Sequence, residues 1–185
     1  MGAKRGHIVW FTGLSGAGKS TLCCALQVEL ELRGHRSKVL DGDEIRCGLC
    51  ADLGFTQADR TENIRRVAHV AEILASTGLF VLVAVICPFQ SLRDMIRVIS
   101  PDMIEVFVDA PLVTCEQRDT KGLYRRARLG ELLNFTGIDS PFDIPIAPDF
   151  ICQTGQETVA ESLDKLMHFL EKSRLIEVSV QFPQP

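Results

Sequence analysis

The sequence predicts one α/β domain built on a mostly parallel sheet, and three observations carry that prediction. Apolar runs of strand length alternate with segments of helical period. A glycine-rich loop stands between the first such run and a helix. The 185 residues amount to little more than one domain at roughly 150 residues each. Strands separated by helices favour parallel pairing, because each helix carries the chain from the finishing end of one strand back to the starting end of the next.

Taken in order, residues 7–12 read as the first strand, followed by the loop and a helix. Residues 38–41 read as the second strand. Ile64, Val67, Ala68, Ala71, Leu74 and Ala75 then recur at helical spacing and form one apolar face. Asp59 followed by Glu62 reads as a capping box opening that helix, and Gly78 as its stop. Residues 79–87, 104–109 and 150–154 read as three further strands. Val159, Leu163, Leu166, Met167 and Leu170 form the apolar face of a last helix. Residues 1–175 are expected to form the domain and 176–185 a tail or linker stub, since the period is lost and the chain ends in prolines.

Composition excludes several classes of function. With 46% hydrophobic and 24% charged residues, the chain can bury an ordinary core. A net charge of −4 argues against a general nucleic-acid or membrane-surface binder, which needs a summed positive field. The longest apolar run, 79–86, has the length of a buried strand rather than of a membrane span. The N-terminus lacks an apolar leader region. Seven scattered cysteines suit a reducing compartment, so the expected location is cytoplasmic, and the sequon Asn134-Phe135-Thr136 is read as accidental.

The most specific motif is Gly13-Leu14-Ser15-Gly16-Ala17-Gly18-Lys19-Ser20. It matches G-x-x-x-x-G-K-[ST], directly after a strand and directly before a helix, where a phosphate loop works. Its glycines let backbone N–H groups wrap a phosphate, Lys19 reaches the β/γ oxygens, and Ser20 ligates Mg²⁺. No N-K-x-D segment reads guanine, and residues 79–87 end in Cys87-Pro88 rather than in an acidic pair. A small-molecule kinase therefore fits better than a GTPase or a mechanical ATPase.

Two further stretches bear on the acceptor. Asp41 and Asp43 follow the second strand, where open α/β sheets bind ligands. Such carboxylates can hold Mg²⁺ waters or take a proton from an attacking hydroxyl, with Asp43 the candidate base; the alternative is an acidic turn capping the next helix. Arg60 and Asn63 share a helix face that continues the apolar stripe toward the phosphate site, and Phe55 offers a stacking surface for a nucleotide-like acceptor. The alternative there is a solvated charged face with Phe55 in the core. Residues 118–128 carry Arg118, Lys121, Arg125, Arg126 and Arg128 against Asp119 alone. This excess reads either as a mobile basic lid over a triphosphate or as a solvated helix face.

Together these stretches resemble the adenylylsulfate kinase family, which phosphorylates adenosine 5′-phosphosulfate (APS) to 3′-phosphoadenosine 5′-phosphosulfate (PAPS). The resemblance runs from about residue 6 to about residue 171. Its pieces are Gly13 to Thr21, Asp41 to Gly48, Asp52 to Phe55, Asp59 to Arg66, Glu105 to Leu112, Cys115 to Tyr124 and Phe135 to Asp139, with Pro141 and Pro145. It implies a three-layer P-loop kinase fold of the adenylate-kinase type with a basic lid, usually as a homodimer, using ATP with Mg²⁺. It also leaves an ATP sulfurylase partner or fusion as an open question, while the charge balance and the lack of a spanning run point to neither a nucleic-acid nor a membrane partner. By resemblance, ATP is held by Gly13, Ser15, Gly16, Ala17, Gly18, Lys19, Ser20, Thr21 and Arg118. APS is held by Asp43, Arg46, Phe55, Arg60, Asn63, Ile86, Lys121, Phe135 and Thr136, with Phe55 and Phe135 stacking on the adenine from opposite sides. Metal contacts fall to Ser20 and, through water, Asp41. Lys19, Asp43 and Lys121 are the expected catalytic residues.

One position departs from the family. Where its members usually read Ile-Ser-Pro, with the serine proposed as a phosphoryl acceptor, this chain reads Ile86-Cys87-Pro88. A thiol would not form the same phosphoserine, so direct transfer with a tolerated Cys87 is the favoured reading. Cys47 and Cys50 form a C-x-x-C without partner ligands at metal spacing, and are read as filling variable positions. Two alternatives stay open: a P-loop kinase for another small acceptor, and a catalytically weak module that binds ATP and APS.

Overall fold

The structure, a computed structural model, describes residues 5–177. Its sheet has five strands in the order β2-β3-β1-β4-β5: β1 Ile8–Thr12, β2 Ser37–Asp41, β3 Phe80–Ala84, β4 Ile104–Val108 and β5 Phe150–Cys152. Every pairing is parallel. Seven helices among the described residues connect them: α1 Lys19–Leu32, α2 Gly42–Cys47, α3 Gln57–Ser76, α4 Gln90–Ile99, α5 Leu112–Arg118, α6 Leu123–Arg128 and α7 Val159–Lys172.

Strand periodicity separates the core into two halves, making three layers. On β1, Val9 and Phe11 face α1 and α7, where they meet Leu22, Leu26, Leu166 and Leu170. Ile8 and Trp10 face the other way, onto Ile64, Val67, Ala68 and Ala71 of α3 and Leu92 and Ile96 of α4. Alternate residues point to opposite faces of a strand, so a run buried throughout, as β1 is, needs helices on both sides. Ile176 is buried with the first half of the core, and residues 178–185, most of the expected tail, lie outside the described residues.

Some element boundaries differ from the sequence reading. The run 79–87 pairs only over Phe80–Ala84, and 150–154 only over Phe150–Cys152. The capping box of α3 is formed by Thr56 and Asp59 rather than by Asp59 and Glu62. Thr56 accepts from the Asp59 N–H while Asp59 accepts from the Thr56 N–H. Glu62 instead binds Arg65 and Arg66 on the helix flank, because those long cations lie three and four residues away on its own face. Val159 is exposed although its periodic partners Leu166, Met167 and Leu170 are buried; it is the first residue of α7.

Because β1 sits centrally with β3 on one side and β4 on the other, its carboxyl end is the point at which strand order reverses. Open α/β sheets bind ligands in that crevice. The phosphate loop leaves β1 there, and the segments after β2, β3 and β4 leave the sheet beside it.

Candidate active site

The phosphate loop folds as its glycines require. Gly13, Gly16 and Gly18 have φ of 147°, 73° and 103°, values that a side chain opposes. Gly13 is further restricted, since a Cβ there would stand 2.5 Å from the Val108 carbonyl oxygen. Lys19 opens α1 and is buried, with Nζ donating to the Gly13 and Leu14 carbonyls at 2.9 and 2.7 Å. Burial lowers its pKa to about 8. The ammonium thus sits at the centre of the loop, held by backbone oxygens that a phosphate can replace.

Ser20, the next residue of α1, donates to the Asp41 carboxylate at the end of β2. The same carboxylate accepts the Asp43 N–H at 2.9 Å and caps α2, so the capping alternative holds for Asp41 alongside its place next to Ser20. Among the described residues no group of three or more His, Cys, Asp or Glu side chains could hold a metal. A pair of hard oxygens beside a phosphate site does fit Mg²⁺, which takes one or two protein oxygens and completes its shell with phosphate and water. Asp43 is exposed and meets Lys121, from the turn between α5 and α6.

The segments expected to hold the acceptor are joined by Arg60. This arginine lies in the first turn of α3, is only 8% exposed, and donates to the Phe55 carbonyl at 3.1 Å, to Thr136 Oγ1 at 3.1 Å and to the Asn134 carbonyl. One guanidinium thereby joins the segment that carries Phe55 to the segment that carries Phe135. Phe55 is 57% exposed, which removes the reading that placed it in the core. The Arg46 guanidinium stacks 4.3 Å from its ring centroid while donating to the Gly54 carbonyl at 3.0 Å. Asn63 is buried one turn along α3, and its Oδ1 has no hydrogen-bond partner among the described residues. An unsatisfied buried amide oxygen beside a cation is what a polar ligand would relieve.

The matching family model, described as adenylylsulphate kinase, covers residues 5–153. The chain belongs to the adenylylsulphate kinase family. Two relatives named adenylyl-sulfate kinase illustrate how far the similarity extends. That of Marinobacter nauticus is 53% identical over 92% of this chain and 86% of its own length. That of Paraburkholderia xenovorans is 52% identical over 92% of this chain and 96% of its own. The solved APS kinase of Mycobacterium tuberculosis, in complex with AMPPNP and APS, superposes with a TM-score of 0.88 at 47% identity. It covers 90% of this chain and 98% of its own.

For a kinase of this family, the remaining residues fall as follows. Arg118 is exposed but donates to the Gly16 carbonyl at 3.3 Å and to the Thr154 carbonyl, which places the start of the basic segment against the phosphate loop. Thr21, on α1, is exposed, and Ala17 is buried under the loop. Ile86 is half-buried beyond the end of β3. Cys87 is not presented to the crevice: it is 1% exposed within the α3/α4 half of the core, and burial pushes its thiol pKa well above the ordinary value. Its carbonyl is held by Arg93 at 2.9 Å and Thr12 at 3.3 Å. Of the C-x-x-C pair, Cys50 is buried and Cys47 exposed, and all seven cysteines are free.

Sequence reasoning missed several groups that hold these residues in place. Asp139 accepts both the Asn134 and Phe135 N–H groups. Thr154 accepts no sequence-level role, yet its hydroxyl donates to the Ala17 carbonyl at 2.7 Å. Arg93 is fully buried, lies 3.3 Å from the Glu105 carboxylate, and donates to the Asp143 carbonyl. Only long-range contact shows these last two.

Proposed function

We propose that this chain transfers the γ-phosphate of ATP to the 3′-hydroxyl of APS, giving PAPS and ADP. The observation that carries the reading is the buried Arg60, which ties two phenylalanine-bearing segments together, one turn before Asn63, whose buried Oδ1 has no partner among the described residues. A guanidinium, an amide and exposed aromatic surface suit an anionic acceptor with a purine. Arg46 adds a second cation at Phe55, and Thr136 accepts from Arg60 on the same side; Ile86 is assigned to this side by family resemblance.

In this reading ATP lies on the loop from Gly13 to Thr21, with Lys19 leaving the Gly13 and Leu14 carbonyls for the β/γ oxygens. Asp43 releases Lys121, orients the acceptor hydroxyl and takes its proton, while Lys121 and Arg118 turn to the transferring phosphate. Little covalent work is asked of the protein beyond position and charge. Ser20 and Asp41 are the residues that would hold Mg²⁺, which supplies positive charge where it develops in phosphoryl transfer. A buried, neutral Cys87 thiol is a poor phosphoryl acceptor, which supports direct transfer. No helix among the described residues is long and apolar enough to cross a membrane, and we propose a cytoplasmic setting. A homodimer belongs to the same reading, and light scattering of the purified chain checks it.

The test is chromatographic detection of PAPS from APS and MgATP, with a Cys87→Ser variant alongside. Comparable rates in the two proteins support direct transfer. Turnover by the variant alone returns the phosphoryl-acceptor role to position 87. Failure of both, with ATP still bound, overturns the acceptor assignment and leaves a binding module or a kinase for another substrate. Asp43→Ala with undiminished turnover would remove Asp43 as the base.

A further inference from the structure

The phosphate loop and the acceptor wall lie on separate segments, and one side chain touches both. Tyr124, on α6, is 2% exposed. Its hydroxyl donates to the Ser15 carbonyl at 2.9 Å, and its ring meets Phe135 edge-on, with centroids 5.0 Å apart at 79°. A trans peptide sets its N–H opposite its C=O. Holding the Ser15 carbonyl toward α6 therefore turns the Gly16 N–H away from α6, and fixes one of the amide donors with which phosphate loops bind anions.

Both ends of this connection are anchored. The Asp119 carboxylate accepts the Tyr124 and Arg125 N–H groups at 3.0 Å each, which seats the first turn of α6. At the other end, Asp139 holds the Phe135 N–H and Arg60 holds Thr136. Burial raises the phenol pKa above its ordinary value, so the hydroxyl keeps its proton and remains a donor.

We propose that Tyr124 is a positioning residue that ties the phosphate loop to the Phe135 wall, so that nucleotide in the loop preorganises the acceptor site. The proposal rests on the acceptor reading above and adds the residue through which the two sites communicate. Nucleotide that orders the loop also restricts Tyr124 and, through it, Phe135. The protein then has less conformational entropy left to lose when the acceptor binds, and the benefit is reciprocal.

APS titrated calorimetrically into the protein, with and without saturating ADP and magnesium, tests this without turnover, since ADP has no γ-phosphate. In the unmodified protein ADP tightens APS binding by about fivefold. In Tyr124→Phe, which keeps the ring and loses only the hydroxyl, that ratio falls to about one, while each ligand alone binds within about threefold of the parent. Phe135→Leu loses the same coupling, and the double variant loses no more than either single one. Coupling that survives Tyr124→Phe, or that is absent from the unmodified protein, overturns the proposal. A lowered melting temperature with coupling intact also overturns it, by making the tyrosine merely structural. If APS fails to bind the unmodified protein under either condition, the acceptor reading falls and this proposal falls with it.

Discussion

The phosphate loop and the proposed acceptor wall are linked through Tyr124 but are built differently. The loop is a single run, 13–20, whose shape comes from glycine backbone and whose proposed phosphate ligands are main-chain amides and one lysine. The proposed wall draws on α2, Phe55, the start of α3 and the segment 134–136, and side chains hold it together. Arg60 reaches Thr136, 76 residues away, and Tyr124 reaches Ser15, 109 residues away. A site made of contiguous backbone can be read from spacing, whereas a site made of side-chain bridges exists only once the chain has folded.

That difference predicts separable damage. Lys19→Ala, on the loop side, is expected to lower kcat by about 10²–10³-fold, the usual cost of losing a charge-stabilising donor at a transferring group. Steady-state assays of PAPS formation measure it, and a loss below tenfold would place the charge elsewhere. Arg60→Ala, on the wall side, removes a charged donor worth about 1.5–3 kcal/mol. It should raise the KM for APS by tenfold or more, on the order of that energy, and leave the KM for ATP nearly unchanged. Equal effects on both substrates would mean that the wall and the loop are not distinct sites.

A pH titration sharpens the loop side further. Burial holds Lys19 at about 8 in the nucleotide-free protein, and a bound polyphosphate raises that value. Above about pH 8 the free protein has lost the proton and the complex regains it, so binding takes up a proton and ATP affinity falls as pH rises, by up to about tenfold per unit. Calorimetry in buffers of different ionisation enthalpy reads the uptake, and its absence between pH 8 and 9 would place another cation at the phosphates. The smallest expected effect is Thr56→Ala. It breaks the α3 capping box and should cost about 1 kcal/mol of stability in chemical denaturation. Because that box precedes Arg60, APS affinity should fall modestly while ATP affinity holds.

Several features were legible in the sequence because they depend on neighbours within a turn or two. The phosphate loop is one. The placing of Arg60 and Asn63 on the buried stripe of α3 is another, since three-residue spacing defines a helix face. The α3 cap was misplaced by three residues because Asp59 can serve either end of a capping box, and only the position of the first helical turn decides which. Phe55 was ambiguous in the same way, as an aromatic residue in a loop carries no periodic signal.

By itself, the sequence determined the alternation of strand and helix, the parallel sheet, the phosphate loop and the family. All of these follow from local period, backbone freedom at glycine and residue order. Tertiary structure alone decided that Cys87 is buried rather than turned to the crevice, that Arg93 meets Glu105 inside the fold, and that Tyr124 spans loop and wall. Each joins groups whose separation along the chain bears no relation to their distance in space, and burial and hydrogen-bond satisfaction select such partners only after the two halves of the core have closed on the sheet.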